Sequence, residues 1–118
     1  MFKNNNIIES LFCSLRGLKV LLKEKSAQGE LIIILFSILF CITIKPNTEF
    51  VVCILLLPLI ILSLEALNTA IEYTCDEITK EHSESIRKAK DLGSSAIFIL
   101  LVAYFLLLIF VLWDKYSV

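Results

Sequence analysis

The sequence predicts an all-α membrane protein, in which an N-terminal amphipathic helix lies in the membrane interface and three further helices span the bilayer. Hydrophobic residues make up 58% of the 118 residues, and charged residues only 19%. A soluble domain of this size cannot bury so much apolar area in its own core, so lipid must solvate much of it. The apolar residues also fall into three long runs separated by charged and turn-forming residues. A chain of this length predicts one domain, residues 1–118.

The first element, at about residues 4–25, has the pattern of an amphipathic helix. Its apolar side chains recur at helical spacing and are Ile7, Ile8, Leu11, Phe12, Leu15, Leu18 and Leu22. A basic amphipathic helix placed just before a membrane span is expected to lie in the interface, and packing against a partner helix does not exclude this. Asn6, three residues before Glu9, resembles a capping box and predicts the start of the helix.

The three spanning helices are predicted at about residues 28–46, 50–74 and 92–113. Residues 45–49 form a tight loop between the first two, and residues 77–91 a longer polar loop between the last two. The first strong apolar run begins too far along the chain for a secretory leader, so residues 1–30 are expected in the mature protein.

Basic residues are distributed unequally between the two ends of the spans. They cluster before the first span and in the second loop, as Lys3, Arg16, Lys19, Lys23, Lys25, Lys80, Arg87, Lys88 and Lys90. The first loop and the C-terminal tail have one lysine each, Lys45 and Lys115. The positive-inside rule therefore predicts a cytoplasmic N-terminus and second loop, with the C-terminus on the outer side.

Several kinds of site are disfavoured by the composition. The four cysteines form no CxxC pair and the chain has one histidine, His82, which argues against a zinc or iron–sulfur site. There is no GxxxxGK phosphate loop and no catalytic-loop motif of the protein kinases. We expect no nucleic-acid partner.

One face of the second span is the most informative part of the sequence. A helical repeat of about 100° per residue places its polar residues together, and these are Glu65, Asn68, Thr69, Glu72 and Asp76. A carboxylate within the apolar zone costs several kcal/mol unless it is paired, which favours a functional role for Glu65. The alternatives are that Glu72 and Asp76 are ordinary interfacial charges, or that the stripe joins helices in an oligomer.

Two further groups could take part in chemistry at the same membrane face. Lys90 could neutralise phosphate, and Asp91 could orient a base or hold a cation, although the stretch could also be a simple cationic boundary. Glu24 and Glu30 flank the start of the first span, and together with Glu72 they could supply carboxylates for Mg²⁺. Taken alone, each of these glutamates is better explained as a solvated charge.

These residues form a pattern that resembles a known family. The run Glu65-Ala-Leu-Asn68-Thr-Ala-Ile-Glu72, followed by Asp76 and by Ala89-Lys90-Asp91-Leu-Gly93-Ser94, is similar to the signature of the prokaryotic diacylglycerol kinases. The related undecaprenol kinases share its first part. The resemblance covers nearly the whole chain, including the interfacial helix, the three spans and their spacing.

The resemblance implies a homotrimeric helical bundle in the bacterial inner membrane, with active sites at the cytoplasmic face that are shared between subunits. It implies transfer of the γ-phosphoryl group of ATP to the primary hydroxyl of diacylglycerol, with Mg²⁺ as cofactor. Glu65 matches the general base and, with Asn68, the lipid-substrate site. Glu24 and Glu72 match the metal ligands. The residues that match the ATP site are Ser14, Gly17, Glu24, Glu72, Lys90 and Asp91.

Two other functions remain compatible with the residues. Undecaprenol could replace diacylglycerol as the acceptor, because Asn-Thr-Ala in the second span suits both branches of the family. A non-catalytic membrane subunit or small ion-conducting oligomer, with Glu65 and Glu72 lining a polar path, belongs to a different class. That reading predicts no specific effect of ATP and leaves the Lys90–Asp91 pair without a role.

Overall fold

The computed structural model describes residues 6–117, which form four α-helices and no strand. The helices are α1 (Ile7–Leu21), α2 (Lys25–Ile44), α3 (Thr48–Ile78) and α4 (Glu84–Tyr116). The last three are long and apolar enough to cross a membrane, which confirms the predicted architecture of one amphipathic and three spanning helices. The part of the amphipathic helix predicted at residues 4–5, together with Lys3, lies outside the described residues.

The start of α1 follows the sequence pattern. Asn6 is the N-cap, and its side-chain Oδ1 accepts a hydrogen bond from the Ile8 backbone N–H at 2.9 Å. The helix ends at Leu21, earlier than expected, and a short turn leads directly into α2 at Lys25. Leu21 is buried, and α1 contacts α3. The turn therefore brings Glu24 close to the cytoplasm-facing end predicted for α3.

The second loop is shorter than the sequence indicates. Residues 84–91 belong to α4, so the prediction of a loop over residues 77–91 was wrong for most of its length. Arg87 makes ion pairs with Glu84 at 2.8 Å and with Asp91 at 2.9 Å, which lie one helical turn before and after it. Pairs at this spacing stabilise a helix. The polar composition thus marks exposed helical turns rather than a loop.

Helix α3 is the central element, since it packs against both α2 and α4. Its contacts centre on a buried cluster that comprises Ile54, Ile61, Ile97, Tyr104, Leu108 and Val111. The buried Tyr104 hydroxyl also hydrogen-bonds the buried Ser37 hydroxyl, which joins α4 to α2. Most large hydrophobic residues on the outer faces are exposed, as expected for surfaces solvated by lipid.

The lengths of the helices determine where the polar residues lie. Helix α3 has 31 residues and α4 has 33, whereas about 20 residues cross the hydrocarbon core. The polar last turns of α3 and first turns of α4 therefore extend beyond the apolar zone. They meet there as neighbours, joined by the short connection at residues 79–83.

Candidate active site at the polar ends of α3 and α4

The predicted polar face of α3 changes from buried to exposed along the helix. Glu65 is 4% exposed and Asn68 is 5% exposed, with Thr69 also buried. Glu72 and Asp76, which lie one and two turns after Asn68, are exposed. One face of a single helix thus carries a carboxylate inside the protein and two carboxylates in reach of water. An arrangement of this kind can contact an apolar molecule and a charged one at the same time.

Asn68 connects the buried and exposed parts of this face. Its Nδ2 donates a hydrogen bond to Glu72 Oε1 at 3.3 Å, while its buried Oδ1 has no hydrogen-bond partner among the described residues. Gly93 of α4 lies directly against it, because a Cβ atom at Gly93 would be 2.2 Å from Asn68 Oδ1. The glycine therefore provides the space that the Asn68 amide occupies. Sequence reasoning noted Gly93 only as part of the family motif.

Lys90 and Asp76 link α4 to α3 at the exposed end of the site. The Lys90 Nζ atom lies 2.8 Å from Asp76 Oδ1, in a contact that leaves both side chains partly exposed. The two groups lie beyond the apolar segments. Their hydrogen bond lowers the pKa of the Asp76 carboxyl and raises the pKa of the Lys90 ammonium, so both stay charged at neutral pH. Lys90 thus presents a fixed positive charge beside the carboxylates.

Asp91 and Lys90 are neighbours in sequence but pair with different residues. Its carboxylate pairs with Arg87 of the same helix, at 2.9 Å, and its side chain is exposed. The predicted Lys90–Asp91 unit is therefore divided within one protomer, with Lys90 turned toward α3.

Glu24 is brought to α3 by a residue that the sequence reasoning missed. The Tyr73 hydroxyl donates a hydrogen bond to Glu24 Oε1 at 3.0 Å, across 49 positions of sequence. Tyr73 directly follows Glu72, so one contact brings the two predicted metal ligands to the same end of α3. The only signal in the sequence was a hydroxyl-bearing aromatic residue within the polar end of an apolar helix.

Glu30 lies on the buried side of the site. It is 5% exposed, its Oε2 has no hydrogen-bond partner among residues 6–117, and its charge is close enough to interact with that of Glu65. The three carboxylates considered for Mg²⁺ thus lie in different environments, because Glu30 is buried, Glu24 is half-buried and Glu72 is exposed.

Ser14 and Gly17 line a groove between α1 and α3. The groove has a volume of about 510 Å³, and its α3 wall includes Thr69 and Tyr73. Its walls are mainly apolar, and its hydroxyl-bearing residues are Ser14, Thr69 and Tyr73. The two residues of α1 that the sequence associates with ATP thus face the same part of α3 as Glu24.

The donor set fits a divalent cation that arrives with phosphate. In the described part of the chain no three His, Cys, Asp or Glu side chains form a cluster that could hold a metal ion. Glu24 and Glu72 are hard oxygen donors, and each has one carboxylate oxygen held by a neighbour on α3. Mg²⁺ in nucleotide sites is commonly bound by one or two carboxylates together with substrate phosphates. Glu24 and Glu72 suit that mode of binding.

The sequence of the chain matches one family model over residues 12–112, that of the prokaryotic diacylglycerol kinases. The chain belongs to this family. It is therefore a lipid kinase, an enzyme class that requires ATP, a lipid acceptor and a divalent metal ion. The match includes all the predicted site residues from Ser14 to Asp91.

Individual relatives of this kinase agree with the family match. A diacylglycerol kinase of Sinorhizobium sp is 38% identical over 90 residues, which cover 76% of this chain and 66% of that protein. The diacylglycerol kinase of Haemophilus influenzae is 34% identical over 99 residues, or 81% of this chain and 82% of the relative. That of Escherichia coli strain K12 is 25% identical over 112 residues, covering 94% and 92%.

Proposed function

We propose that this kinase transfers the γ-phosphoryl group of ATP to the primary hydroxyl of diacylglycerol and so forms phosphatidic acid. The observation that carries the proposal is the change from buried to exposed along one face of α3, from Glu65 to Glu72. The buried end of this face suits the hydroxyl of a lipid, and the exposed end suits a nucleotide in water. The proposal treats residues 1–118 as one kinase domain.

Glu65 is proposed as the general base and, with Asn68, as the lipid-binding part of the site. The acceptor oxygen forms a bond to the γ-phosphorus as the bond to the β–γ bridging oxygen breaks, leaving ADP. Glu65 takes the proton of the hydroxyl. Phosphoryl transfer depends mainly on positioning and charge neutralisation, so a carboxylate held rigidly by burial suits this role. The Asn68 amide is proposed to orient the acceptor next to Glu65.

Glu24 and Glu72 are proposed to hold Mg²⁺ together with the ATP phosphates. When bound, the ion neutralises phosphate charge. Lys90 is proposed to contact the phosphates, and its ammonium is already ordered by Asp76 at 2.8 Å. Asp91, Ser14 and Gly17 complete the proposed ATP site, and the groove of about 510 Å³ beside Ser14 and Gly17 supports a ligand there.

The proposed setting is the inner membrane of a bacterium, with this site on the cytoplasmic side. The clustering of lysine and arginine at the ends of the helices that form the site supports this orientation. We also propose a homotrimer in which neighbouring subunits share each site. The extensive exposed apolar faces of α2–α4 are compatible with helix packing between subunits as well as with lipid.

The lipid acceptor is assigned as diacylglycerol rather than undecaprenol. The relatives described above carry the name diacylglycerol kinase, and so does the family. Family membership also argues against a non-catalytic subunit or ion-conducting oligomer. In a kinase, Lys90 and the carboxylates have a common role in phosphoryl transfer.

The proposal is tested by phosphate transfer from γ-labelled ATP in mixed micelles that contain diacylglycerol or undecaprenol, with and without Mg²⁺. We expect Mg²⁺-dependent labelling of diacylglycerol. Glu65→Gln should lose transfer while keeping its helical content and oligomeric state, and the exposed Glu49→Gln at the opposite end of α3 serves as the matched control. Labelling of undecaprenol alone would refute diacylglycerol as the acceptor. Full activity of Glu65→Gln would refute the assignment of Glu65 as the base.

A further inference from the structure

Tyr73 occupies a position that gives it influence over the proposed metal site without being a ligand. Its hydroxyl lies 3.0 Å from Glu24 Oε1, and its backbone directly follows Glu72. The side chain is 56% exposed, so burial does not account for the presence of a tyrosine there. The residue also lines the groove between α1 and α3.

Glu24 has few other restraints on its position. It is the N-cap residue of α2, but its side chain makes no capping hydrogen bond. It lies in the short turn between α1 and α2, and its backbone N–H bonds the Leu21 carbonyl oxygen at 2.9 Å. Among the described residues, the Tyr73 hydroxyl is the one side-chain donor to the Glu24 carboxylate. The Tyr73 hydroxyl is therefore the main restraint on the orientation of this carboxylate.

We propose that Tyr73 is a positioning residue, whose O–H fixes the Glu24 carboxylate at the same end of α3 as Glu72 so that its second oxygen can bind the divalent cation. The inference rests on the proposed function, in which Glu24 and Glu72 are metal ligands. A carboxylate that is ordered before the metal arrives loses less conformational entropy on binding, so the same ligands bind the ion more tightly. Tyr73 therefore determines the metal affinity of the site rather than the rate of the transfer step.

The test compares Tyr73→Phe with the wild-type enzyme in detergent micelles. Phenylalanine keeps the ring against the groove and removes only the hydroxyl. Mn²⁺ binding is measured by electron paramagnetic resonance in the presence of a non-hydrolysable ATP analogue and without lipid acceptor. Because this hydrogen bond is exposed to solvent, its loss should have the effect of a typical net hydrogen bond and lower the Mn²⁺ affinity by about three- to tenfold. The control is Tyr116→Phe, at an exposed tyrosine at the end of α4 far from the site. Its Mn²⁺ affinity should stay within about twofold of the wild-type value.

Kinetics and a double variant separate positioning from other roles. In Tyr73→Phe the Mg²⁺ concentration for half-maximal activity should rise by about the same factor, with kcat at saturating Mg²⁺ nearly unchanged. In a Glu24→Gln background, Tyr73→Phe should have no further effect on Mn²⁺ affinity, because the amide can still accept the Tyr73 hydrogen bond but no longer supplies a carboxylate ligand. Unchanged Mn²⁺ affinity in Tyr73→Phe, or an equal loss in both backgrounds, overturns the inference. Unchanged affinity in Glu24→Gln overturns the metal assignment itself, and a wild-type enzyme that labels no lipid overturns the proposed function.

Discussion

Replacing Gly93 with alanine inserts one methyl group into the contact between α3 and α4. The new Cβ would lie 2.2 Å from Asn68 Oδ1 and 3.2 Å from Asn68 Cγ, whereas its distance to Ile71 Cδ1, 3.6 Å, is an ordinary contact. Favourable non-bonded separations are about 3.5–4.0 Å between carbon atoms. The Asn68 amide must therefore rotate away, or the two helices must separate.

We expect Asn68 to rotate, because the atom that a new Cβ would meet first is the end of its side chain. Forcing an extra methyl group into a packed contact typically costs about 1–3 kcal/mol. Rotation instead loses the hydrogen bond from Asn68 Nδ2 to Glu72, which at 3.3 Å belongs at the lower end of about 1.5–3 kcal/mol for bonds to charged groups. Alanine regains about 1 kcal/mol of helix propensity over glycine. The free energy of unfolding should thus fall by less than about 1 kcal/mol, while the support of Glu72 is lost.

The assays must accordingly measure activity and stability separately. For Gly93→Ala we expect kcat/KM for diacylglycerol to fall about tenfold or more, since about 1.4 kcal/mol corresponds to a factor of ten. Stability is followed by denaturant titration in micelles through the fluorescence of Trp113, the one tryptophan of the chain. Gly29→Ala in α2 is the matched control, because a Cβ there meets nothing within 4 Å. It should keep full activity and gain slightly in stability.

Two results would refute this reasoning. Full activity of Gly93→Ala would show that the contact with Asn68 does not position Glu72. A larger stability loss for Gly93→Ala in an Asn68→Ala background than in the wild type would show that the obstruction comes from elsewhere, because the double variant no longer contains the crowded oxygen.

Three further predictions follow from contacts at the site and in the core. Lys90→Met should raise the KM for ATP at least about tenfold. For the control, Lys88→Met at a neighbouring exposed lysine, the KM for ATP should stay within about twofold of wild type. Equal increases in the two variants would show that the positive charge acts without a specific phosphate contact. Ser37→Ala should lower the free energy of unfolding by about 1–3 kcal/mol, because it leaves the buried Tyr104 hydroxyl without its partner. Tyr104→Phe in that background should recover part of the loss, and a further decrease in the denaturant titration would contradict the pairing. Removing divalent metal with a chelator should abolish lipid labelling, and restoring Mg²⁺ should recover it fully if the fold does not depend on the ion.

The parts of the fold that depend on local pattern could be predicted from the sequence. Apolar runs locate the three spans, and the N-cap at Asn6 locates the start of α1, because both depend on neighbouring residues. Helical periodicity also places Glu65, Asn68 and Glu72 on one face without knowledge of the tertiary structure. The same approach failed at residues 84–91, where charge pairs sustain a helix that composition alone marks as a loop.

The parts that depend on contacts between distant residues could not be predicted. The Tyr73–Glu24 hydrogen bond joins residues 49 positions apart and requires the path of the turn between α1 and α2. The fit of Gly93 against Asn68 depends on the separation of α3 and α4, which sequence spacing does not determine. The division of the carboxylates, with Glu30 buried near Glu65, likewise follows from how α2 packs on α3. Each of these features is a property of the assembled helices.

The graded exposure of α3 also has a consequence for the choice of acceptor. Glu65 and Glu72 are two turns apart, roughly 10 Å along the helix axis, and the helix is held at a set depth by its apolar segment. The two carboxylates therefore lie at fixed and different depths in the bilayer. The proposed role of Glu65 as the base requires an acceptor whose hydroxyl lies at the depth of Glu65. In this proposal the enzyme selects an acceptor by the depth of its hydroxyl in the bilayer.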